Sequence, residues 1–509
     1  MRFERYNSGS GKVSAGNSDF FRGGKKSPWY IVAVSTIGSS ISGVTYLSVP
    51  GMVAASSFSY MQMVLGFTLG YVAVAYLLLP LYYRMDMNSI YGYLEQRFGR
   101  EAYFTGSGFF FISKLLGCGV RMFLTANVLQ FILFDHLGIP FWLNVAVTVV
   151  IVWLYTVRGG VRTLVWVDMV QTLAMVGAVV LCICHVAGAM GLDFRETLGS
   201  ISGSRMSEIW VFDDFRKSDY FWKQFLAGVF TTVTMTGLDQ DMMQKNLSCR
   251  NLKEAQKNMI TSGFLYIPLN LVFLGLGVLL YQFCELKGID TAVPDQVFAS
   301  VATGPYMPAA VAAIFLIGLI TAGFSSSGSA ITALTTSFTV DFLRADRRAS
   351  RSGRVQAAGS GGEAPAGSSG ERAAGSGGEA AERRLAVTRV IVHTAMAILV
   401  GAVVYSFKVI GNRSVIDAVY TIASYTYGPL LGLYAFGMAT KRHPRGLAIP
   451  FVCLLSPLVC LLLNKFGPEL FGGYHFGFEM LLINGAICFA GLLIASSGKY
   501  GREGSVAGK

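Results

Sequence analysis

Hydrophobic residues along this chain fall into about twelve long runs, separated by shorter polar segments. A helix needs about 20 mostly apolar residues to cross a hydrocarbon core of about 30 Å, and the runs are close to that length or longer. The pattern therefore predicts an all-α, polytopic membrane protein with about 12 transmembrane helices. The predicted spans are residues 28–55, 58–82, 103–134, 140–157, 164–190, 221–244, 258–284, 306–341, 386–406, 416–439, 447–464 and 476–497.

Two of these runs are interrupted by polar residues near their middle. The interruptions are Ser39 to Thr45 in the first run and Thr231 to Gly237 in the sixth. Lipid cannot satisfy backbone N–H and C=O groups, so such a break is tolerated only where protein or a water-filled cavity covers it. Matching breaks in two halves of a chain indicate a midplane binding site in a secondary transporter. We therefore expect discontinuous first and sixth helices.

Composition and charge agree with a membrane location and argue against other classes. The chain is 53% hydrophobic and only 14% charged, with a formal net charge of +12. Lys and Arg are concentrated in alternate loops, which by the positive-inside rule places both termini in the cytoplasm of a multi-pass protein of the cell inner (plasma) membrane. This distribution also argues against nucleic-acid binding. No metal-hydrolase, nucleophile-elbow or phosphate-loop motif is present in the sequence, so we do not expect an enzyme.

The predicted spans divide into two blocks of five followed by two peripheral spans. Blocks with an odd number of spans enter the membrane in opposite directions, which predicts a 5+5 inverted repeat. The Gly/Ala/Ser-rich insertion in the second block has too little apolar area to fold and is predicted to be disordered. The predicted units are a cytoplasmic segment (1–27), repeat one (28–190), an extracytoplasmic loop (191–220), repeat two (221–440) with the cytoplasmic insertion 344–385, spans 11 and 12 (441–498) and a cytoplasmic tail (499–509).

Five short strings occur in the order typical of one transporter family. They are DFFRGGK from Asp19, YGYLEQRFG from Tyr91, GGV from Gly159 followed by WVDMVQ from Trp166, DQ at Asp239 with QK at Gln244, and TAGFSSS from Thr321. Together they resemble the sodium/solute symporter family, whose members share the inverted-repeat fold of a bacterial leucine transporter. The resemblance covers residues 19–440. It implies one more transmembrane helix ahead of Trp29, outside both repeats, on which we do not expect the transport core to depend.

The resemblance also implies a sodium site between spans one and eight. Its ligands would be the backbone carbonyls of Gly38, Ile41 and Ala322 and the hydroxyls of Ser325 and Ser326. Sodium prefers such hard oxygen ligands, although serine runs can equally serve close helix packing.

A second sodium ion is a separate question. Some members of the family bind it with an acidic residue of span five and serines of span eight, which here are Asp168, Ser325 and Ser329. Gly328 stands where a further hydroxyl would be expected. An alternative role for Asp168 is an interfacial partner of Arg158 or Arg162.

Residues around the two breaks are the candidates for solute binding. Lys114 and Arg121 are seven residues apart and share one face of span three, where basic side chains are costly enough to suggest function. Arg121 would bind a carboxylate of the solute. The alternatives are that its side chain snorkels to the membrane surface or pairs with a buried acidic residue. The spacing of the candidate residues on spans one and two is loosely similar to that in the family's sialic-acid transporters. Thr232 and Met235 occupy positions where the family's sugar transporters carry other side chains. The predicted solute residues are Ser40, Ser42, Thr45, Phe58, Gln62, Arg121, Thr232 and Met235, and the cytoplasmic end of span six would be lined by Asp239, Gln240 and Gln244.

These features predict a sodium-coupled symporter that imports a small polar organic solute by alternating access. A carboxylated sugar or another organic acid is one candidate class of solute. Proton coupling at Asp168 and a transporter-like solute receptor are the alternatives. The expected partners are the small-molecule solute and the lipid bilayer, with sodium as the coupling ion, no nucleic acid and no obligate protein partner.

Overall fold

The computed structural model describes residues 28–85, 89–343, 369–410 and 415–496. These residues form helices joined by turns, and no β-strand occurs among them. Within the described ranges, seven helices are long and apolar enough to cross a membrane, or eight if one bent pair is counted, and three shorter apolar helices accompany them. The prediction of an all-helical polytopic membrane protein is confirmed, while the number of twelve spans stays a prediction. The seven are Tyr60–Met85, Arg100–Phe134, Val167–Ala189, Leu252–Lys287, Ala309–Phe342, Ala386–Lys408 and Ala448–Leu470, and the shorter three are Phe141–Val157, Gly428–Ala439 and Met480–Ala495.

The first span is broken where the sequence predicts it. Helix α1 (Trp29–Ser40) and helix α2 (Gly43–Ser56) meet at an angle of 55°. Ile41 and Ser42 between them leave helical geometry, with ψ of 81° and 175°. Both residues are buried, so the freed backbone groups of the break lie inside the protein and not in lipid.

The sixth span is broken as well. Helix α8 (Phe221–Thr232) continues into a π-helical turn, Val233–Gly237, and ends before Asp239. The Asp239 carboxylate then caps the short helix α9 (Gln240–Asn246) by accepting hydrogen bonds from the backbone N–H groups of Asp241 and Met242. Ser and Thr hydrogen-bond to nearby backbone groups, which explains why a Thr-rich stretch can depart from regular α-helix here.

The remaining helices complete the chain order. In two places they differ from the sequence prediction. The spans predicted at 140–157 and 164–190 lie within one continuous helical element, α6 (Phe141–Ala189). Within the insertion predicted to be disordered, 344–368 lies outside the described residues, but helix α13 already begins at Ser369, since Ala, Glu and Arg favour helix despite the glycines. The other elements are α3 (Tyr60–Met85), α4 (Gly92–Phe98), α5 (Arg100–Phe134), α7 (Phe194–Ser202), α10 (Leu252–Lys287), α11 (Pro294–Ala302), α12 (Ala309–Phe342), α13 (Ser369–Ile410), α14 (Val415–Thr426), α15 (Gly428–Ala439), α16 (Ala448–Leu470) and α17 (Met480–Ala495).

Close packing between the two halves of the chain positions the breaks beside each other. Helix α3 lies against α8, and α12 lies against α6. At the first contact two glycines let the backbones approach, because a Cβ atom at Gly66 would lie 2.1 Å from the Phe225 carbonyl oxygen and one at Gly228 would lie 2.2 Å from that of Met63. Both broken segments therefore line one interior space.

Candidate functional site

A cavity of about 120 Å³ lies between the broken helices and spans three and eight. The break of the first span contributes Ser39, Ser40 and Ser42 to its wall, and the break of the sixth contributes Thr232 and Met235. The remaining wall mixes aromatic, basic and acidic side chains. It includes Phe67, Tyr71, Lys114, Arg121, Asp239, Asp241, Tyr266, Ser325, Ser326, Ser329 and Tyr420.

The buried carboxylate of Asp168 links three elements next to this cavity. Its Oδ2 accepts hydrogen bonds from the hydroxyls of Ser35 and Ser39 on α1, each at 2.8 Å. Its Oδ1 accepts a hydrogen bond from the Ser325 hydroxyl on α12. Asp168 itself belongs to α6 and is completely shielded from solvent. Spans one and eight are therefore joined through a single carboxylate of span five.

The cation that compensates this carboxylate is Lys245, on the short helix α9. Its Nζ lies 2.9 Å from Asp168 Oδ2, 2.6 Å from Ser39 Oγ and 2.8 Å from Ser329 Oγ. Only 1% of Lys245 is exposed. Asp168 thus has an ion-pair partner inside the protein, and the side chains of Arg158 and Arg162, the partners suggested by sequence, lie outside the described residues.

The residues predicted to hold sodium lie around the same junction. The side-chain amide of Gln171 donates to the carbonyl oxygens of Gly38 and Ile41, at 3.0 and 2.9 Å, which brings both carbonyls to one point. Ala322 is buried on α12, and its Cβ lies 4.0 Å from the position of a Cβ at Gly43, just past the break. Ser325 reaches α1 through Asp168.

Ser326 has the feature expected of an unused ligand. Its hydroxyl oxygen is buried without a hydrogen-bond partner among the described residues, yet Ser326 belongs to the cavity wall. Buried polar groups are nearly always paired, so an orphaned hydroxyl facing a cavity needs an explanation. A cation ligated there would supply one.

The residues predicted to bind the solute differ in whether they line the cavity. Ser40, Ser42, Thr45, Arg121, Thr232 and Met235 line the cavity. Phe58 and Gln62 are absent from its lining, and their role in solute binding stays a prediction. Gln62 is fully buried and holds the loop between α7 and α8, by donating to the Asp219 carbonyl at 2.8 Å and accepting from the Val211 N–H at 3.2 Å.

The span-two residues that line the cavity lie further along helix α3 than Gln62. They are Phe67 and Tyr71, and the Tyr71 hydroxyl is 2.8 Å from Ser40 Oγ. The direction of a side chain depends on how its helix is rotated against the neighbouring helices. The spacing of Phe58 and Gln62 in the sequence does not determine that rotation.

Of the three residues predicted at the cytoplasmic end of span six, only Asp239 lines the cavity. Gln240 is buried and accepts a hydrogen bond from the Ile90 N–H at 2.9 Å, and Gln244 is also buried. Asp239 accepts hydrogen bonds from the Tyr427 hydroxyl at 2.7 Å and from Lys114 at 3.1 and 3.2 Å.

Comparison with known proteins places the chain in a family. A model of the Sodium:solute symporter family matches residues 20–358, about two thirds of the chain. The chain belongs to this family.

Relatives within and around this family transport several kinds of solute. The chain is 27% identical to the human sodium/iodide cotransporter over 58% of its own length and 45% of that protein. It is 27% identical to the mouse sodium-coupled monocarboxylate transporter 1, over 63% and 53% of the two chains. It therefore spans about half the length of these relatives. It is 22% identical to the sodium/sialic acid symporter SiaT of Proteus mirabilis over 94% of this chain and 89% of SiaT.

Solved structures share the fold of this sodium:solute symporter family member. A sodium-coupled sialic acid symporter in a substrate-bound, outward-open state superimposes with a TM-score of 0.72 and 18% identity, covering 94% of this chain and 92% of the other. A nucleobase-cation-symport-1 family transporter in a closed conformation gives a TM-score of 0.57 at 12% identity, covering 94% of both chains.

Charged groups of this family member balance around the cavity. Lys114 bonds to Asp241 at 2.8 Å as well as to Asp239, and Lys245 bonds to Asp168. The remaining cavity cation is Arg121, whose guanidinium makes no hydrogen bond or ion pair with any described residue. Among the described residues, three basic and three acidic side chains thus lie in or next to the cavity wall, and their formal charges cancel.

The ion pair between Asp168 and Lys245 predicts a specific stability pattern. We expect Asp168→Asn to destabilise the protein by about 3–5 kcal/mol, because it leaves a buried ammonium without its partner. Neutralising both groups, in Asp168→Asn with Lys245→Met, should recover most of the loss. Thermal unfolding of the detergent-solubilised protein measures both effects.

The matched control for this pair is Asp213→Asn. Asp213 forms an exposed ion pair with Lys217, and such surface pairs contribute little. Equal melting temperatures for Asp168→Asn and Asp213→Asn would show that the buried pair does not hold the spans together.

Proposed function

We propose that this chain is a sodium-coupled symporter that imports a small organic anion by alternating access. The observation that carries the proposal is the cavity itself. It joins unwound backbone and an orphaned hydroxyl, suited to a sodium ion, with one arginine that has no acidic partner among the described residues.

The sodium part of the proposal rests on the oxygen atoms near the first break. The carbonyls of Gly38 and Ile41 converge on one amide, and a carbonyl oxygen keeps a second lone pair for a cation. The Ser325 hydroxyl donates its proton to Asp168, which leaves its oxygen lone pairs available. Together with the Ser326 hydroxyl and the Ala322 carbonyl, these atoms would supply the hard ligands that sodium prefers. Sodium bound there would fix span one against span eight.

The anionic class of the solute rests on charge. The fixed groups around the cavity sum to zero when Arg121 is counted, so one bound sodium ion would leave a net charge of +1. Burying that charge is costly unless an anion accompanies it. Arg121 would meet the anion as a two-pronged hydrogen-bond donor. Iodide, monocarboxylates and sialic acid, for which the relatives above are named, are all anions.

The remaining walls suit a compact organic body. Phe67, Tyr71, Tyr266 and Tyr420 supply aromatic surface, and Ser40, Ser42 and Thr45 supply polar atoms. A pocket of mostly apolar walls with a few oriented polar groups is typical for small-molecule recognition. We infer an orientation with both termini in the cytoplasm from the distribution of Lys and Arg in the loops.

Uptake into proteoliposomes tests the function as a whole. A panel of labelled N-acetylneuraminate, pyruvate and lactate should contain a solute that accumulates in the presence of an inward sodium gradient. Accumulation should cease when choline replaces sodium. Accumulation that follows a proton gradient and ignores sodium would contradict the proposal and support proton coupling instead.

The sodium site predicts a contrast between two neighbouring serines. The buried hydroxyls of Ser326 and Ser327 both lack a hydrogen-bond partner among the described residues, but only Ser326 is part of the cavity wall. Ser326→Ala removes no hydrogen bond to any residue that the structure describes, so it should raise the sodium concentration for half-maximal uptake about tenfold through the lost ligand alone. That factor corresponds to about 1.4 kcal/mol.

Ser327→Ala is the matched control and should leave the sodium dependence unchanged. Sodium titrations of solute uptake compare the two variants side by side. If both variants responded alike, Ser326 would be a packing residue.

Arg121 predicts a selective loss of solute binding. Arg121→Gln should abolish the thermal stabilisation that a carboxylate solute gives in sodium, because a neutral amide cannot replace the charged two-pronged donor. Stabilisation by sodium alone should persist, since Arg121 is not among the proposed sodium ligands. A variant that still responds to the carboxylate with wild-type affinity would exclude Arg121 as the anion-binding group.

A further inference from the structure

We infer that the ammonium group of Lys245 takes the place of a second sodium ion beside Asp168, so that the protein binds one sodium ion per transport cycle. The inference rests on the proposed sodium coupling and specifies its stoichiometry.

The surroundings of Lys245 Nζ are those of a cation site. An ammonium group carries three N–H donors, and each has an oxygen acceptor within 2.9 Å: Asp168 Oδ2, Ser39 Oγ and Ser329 Oγ. Asp168 and Ser329 are two of the ligands that a second sodium ion would use. The side chain enters from α9, so this cation is attached to the chain and cannot leave with the solute.

The rest of the carboxylate is also engaged. Oδ1 accepts a hydrogen bond from Ser325, and Oδ2 accepts from Ser35 as well as from Lys245. A sodium ion bound to Asp168 would lie within a few ångströms of the ammonium, and like charges at that distance repel strongly in a buried site. The ion and the lysine therefore exclude each other.

Span eight also lacks one ligand. Gly328 stands where a further hydroxyl would be needed, and the space beside it is filled, because a Cβ atom there would lie 2.2 Å from the Tyr155 hydroxyl oxygen. That hydroxyl donates its proton to the Phe324 carbonyl. This second observation is independent of Lys245 and points the same way.

A single sodium ion has a consequence for energetics. One sodium ion carried with one monovalent anion moves no net charge across the membrane. A second ion would add one elementary charge per cycle and couple uptake to the membrane potential. For a monovalent anion, the inference thus predicts uptake that depends on the sodium gradient and not on the potential.

Equilibrium binding of ²²Na⁺ to the purified full-length protein tests the inference, with choline chloride holding the ionic strength constant. The wild type should bind one ion per chain with a Hill coefficient of 1. Lys245→Met frees the Asp168 carboxylate and should raise the number to two. Lys217→Met, which removes the lysine partner of the exposed carboxylate of Asp213 outside the cavity, is the control and should stay at one.

The double variant Asp168→Asn with Lys245→Met keeps the site neutral and covers the case in which Lys245→Met does not fold. It should still bind one ion, because the proposed remaining site does not use the Asp168 carboxylate as a ligand. Two ions on the wild type, a double variant that loses its ion, or a folded Lys245→Met that stays at one would each overturn the inference. A wild type that binds no sodium would instead contradict the proposed function.

Discussion

The arrangement of the transport core depends on one buried ion pair, between Asp168 and Lys245. Burying two charges costs several kcal/mol per ion unless good hydrogen bonds surround them, and here serines from spans one and eight supply those bonds. The pair therefore holds four elements together: α1, α6, α9 and α12. Two of these, α1 and α9, belong to the broken spans.

This constraint explains why the breaks can exist in a membrane. The unwound backbone at Ile41 is covered by Gln171, and α9 after the second break is capped by Asp239, which is itself held by Lys114 and Tyr427. The first break is thus covered by a side chain from another helix, and the second is capped by a residue that side chains from two other parts of the chain hold in place, as a lipid environment requires. The polar groups that satisfy the breaks also form the cavity wall, so the structural solution and the binding site are one arrangement.

The broken spans and the buried carboxylate could be predicted from the sequence, because both are visible in the local composition of the apolar runs. The Ser- and Thr-rich interruptions are visible as breaks in apolar runs, and Asp168 is conspicuous as a carboxylate inside such a run. Features set by tertiary contacts were not accessible in the same way. Lys245 follows the sixth apolar run, where the sequence shows it only as one more basic residue of a loop, although its ammonium reaches back to Asp168, 77 residues away in sequence. The sequence does contain one signal for this buried ion pair. Lys245 lies at the end of an apolar run, a few residues after the two acidic residues Asp239 and Asp241.

Rotation of a helix about its axis is a further property that the sequence left open. Gln62 contacts backbone groups of the loop between α7 and α8, while Phe67 and Tyr71, further along the same helix, face the cavity. The role of Gln171, whose amide gathers the carbonyls of Gly38 and Ile41, likewise appears only when α1 and α6 are packed together.

The most direct test of this account is an experimental structure of the protein determined in sodium. We predict one ion near the Ile41 carbonyl and the Ser325 and Ser326 hydroxyls, with Lys245 Nζ still about 2.9 Å from Asp168. An ion bound on Asp168 with Lys245 turned away, or no ion near Ile41, would contradict it.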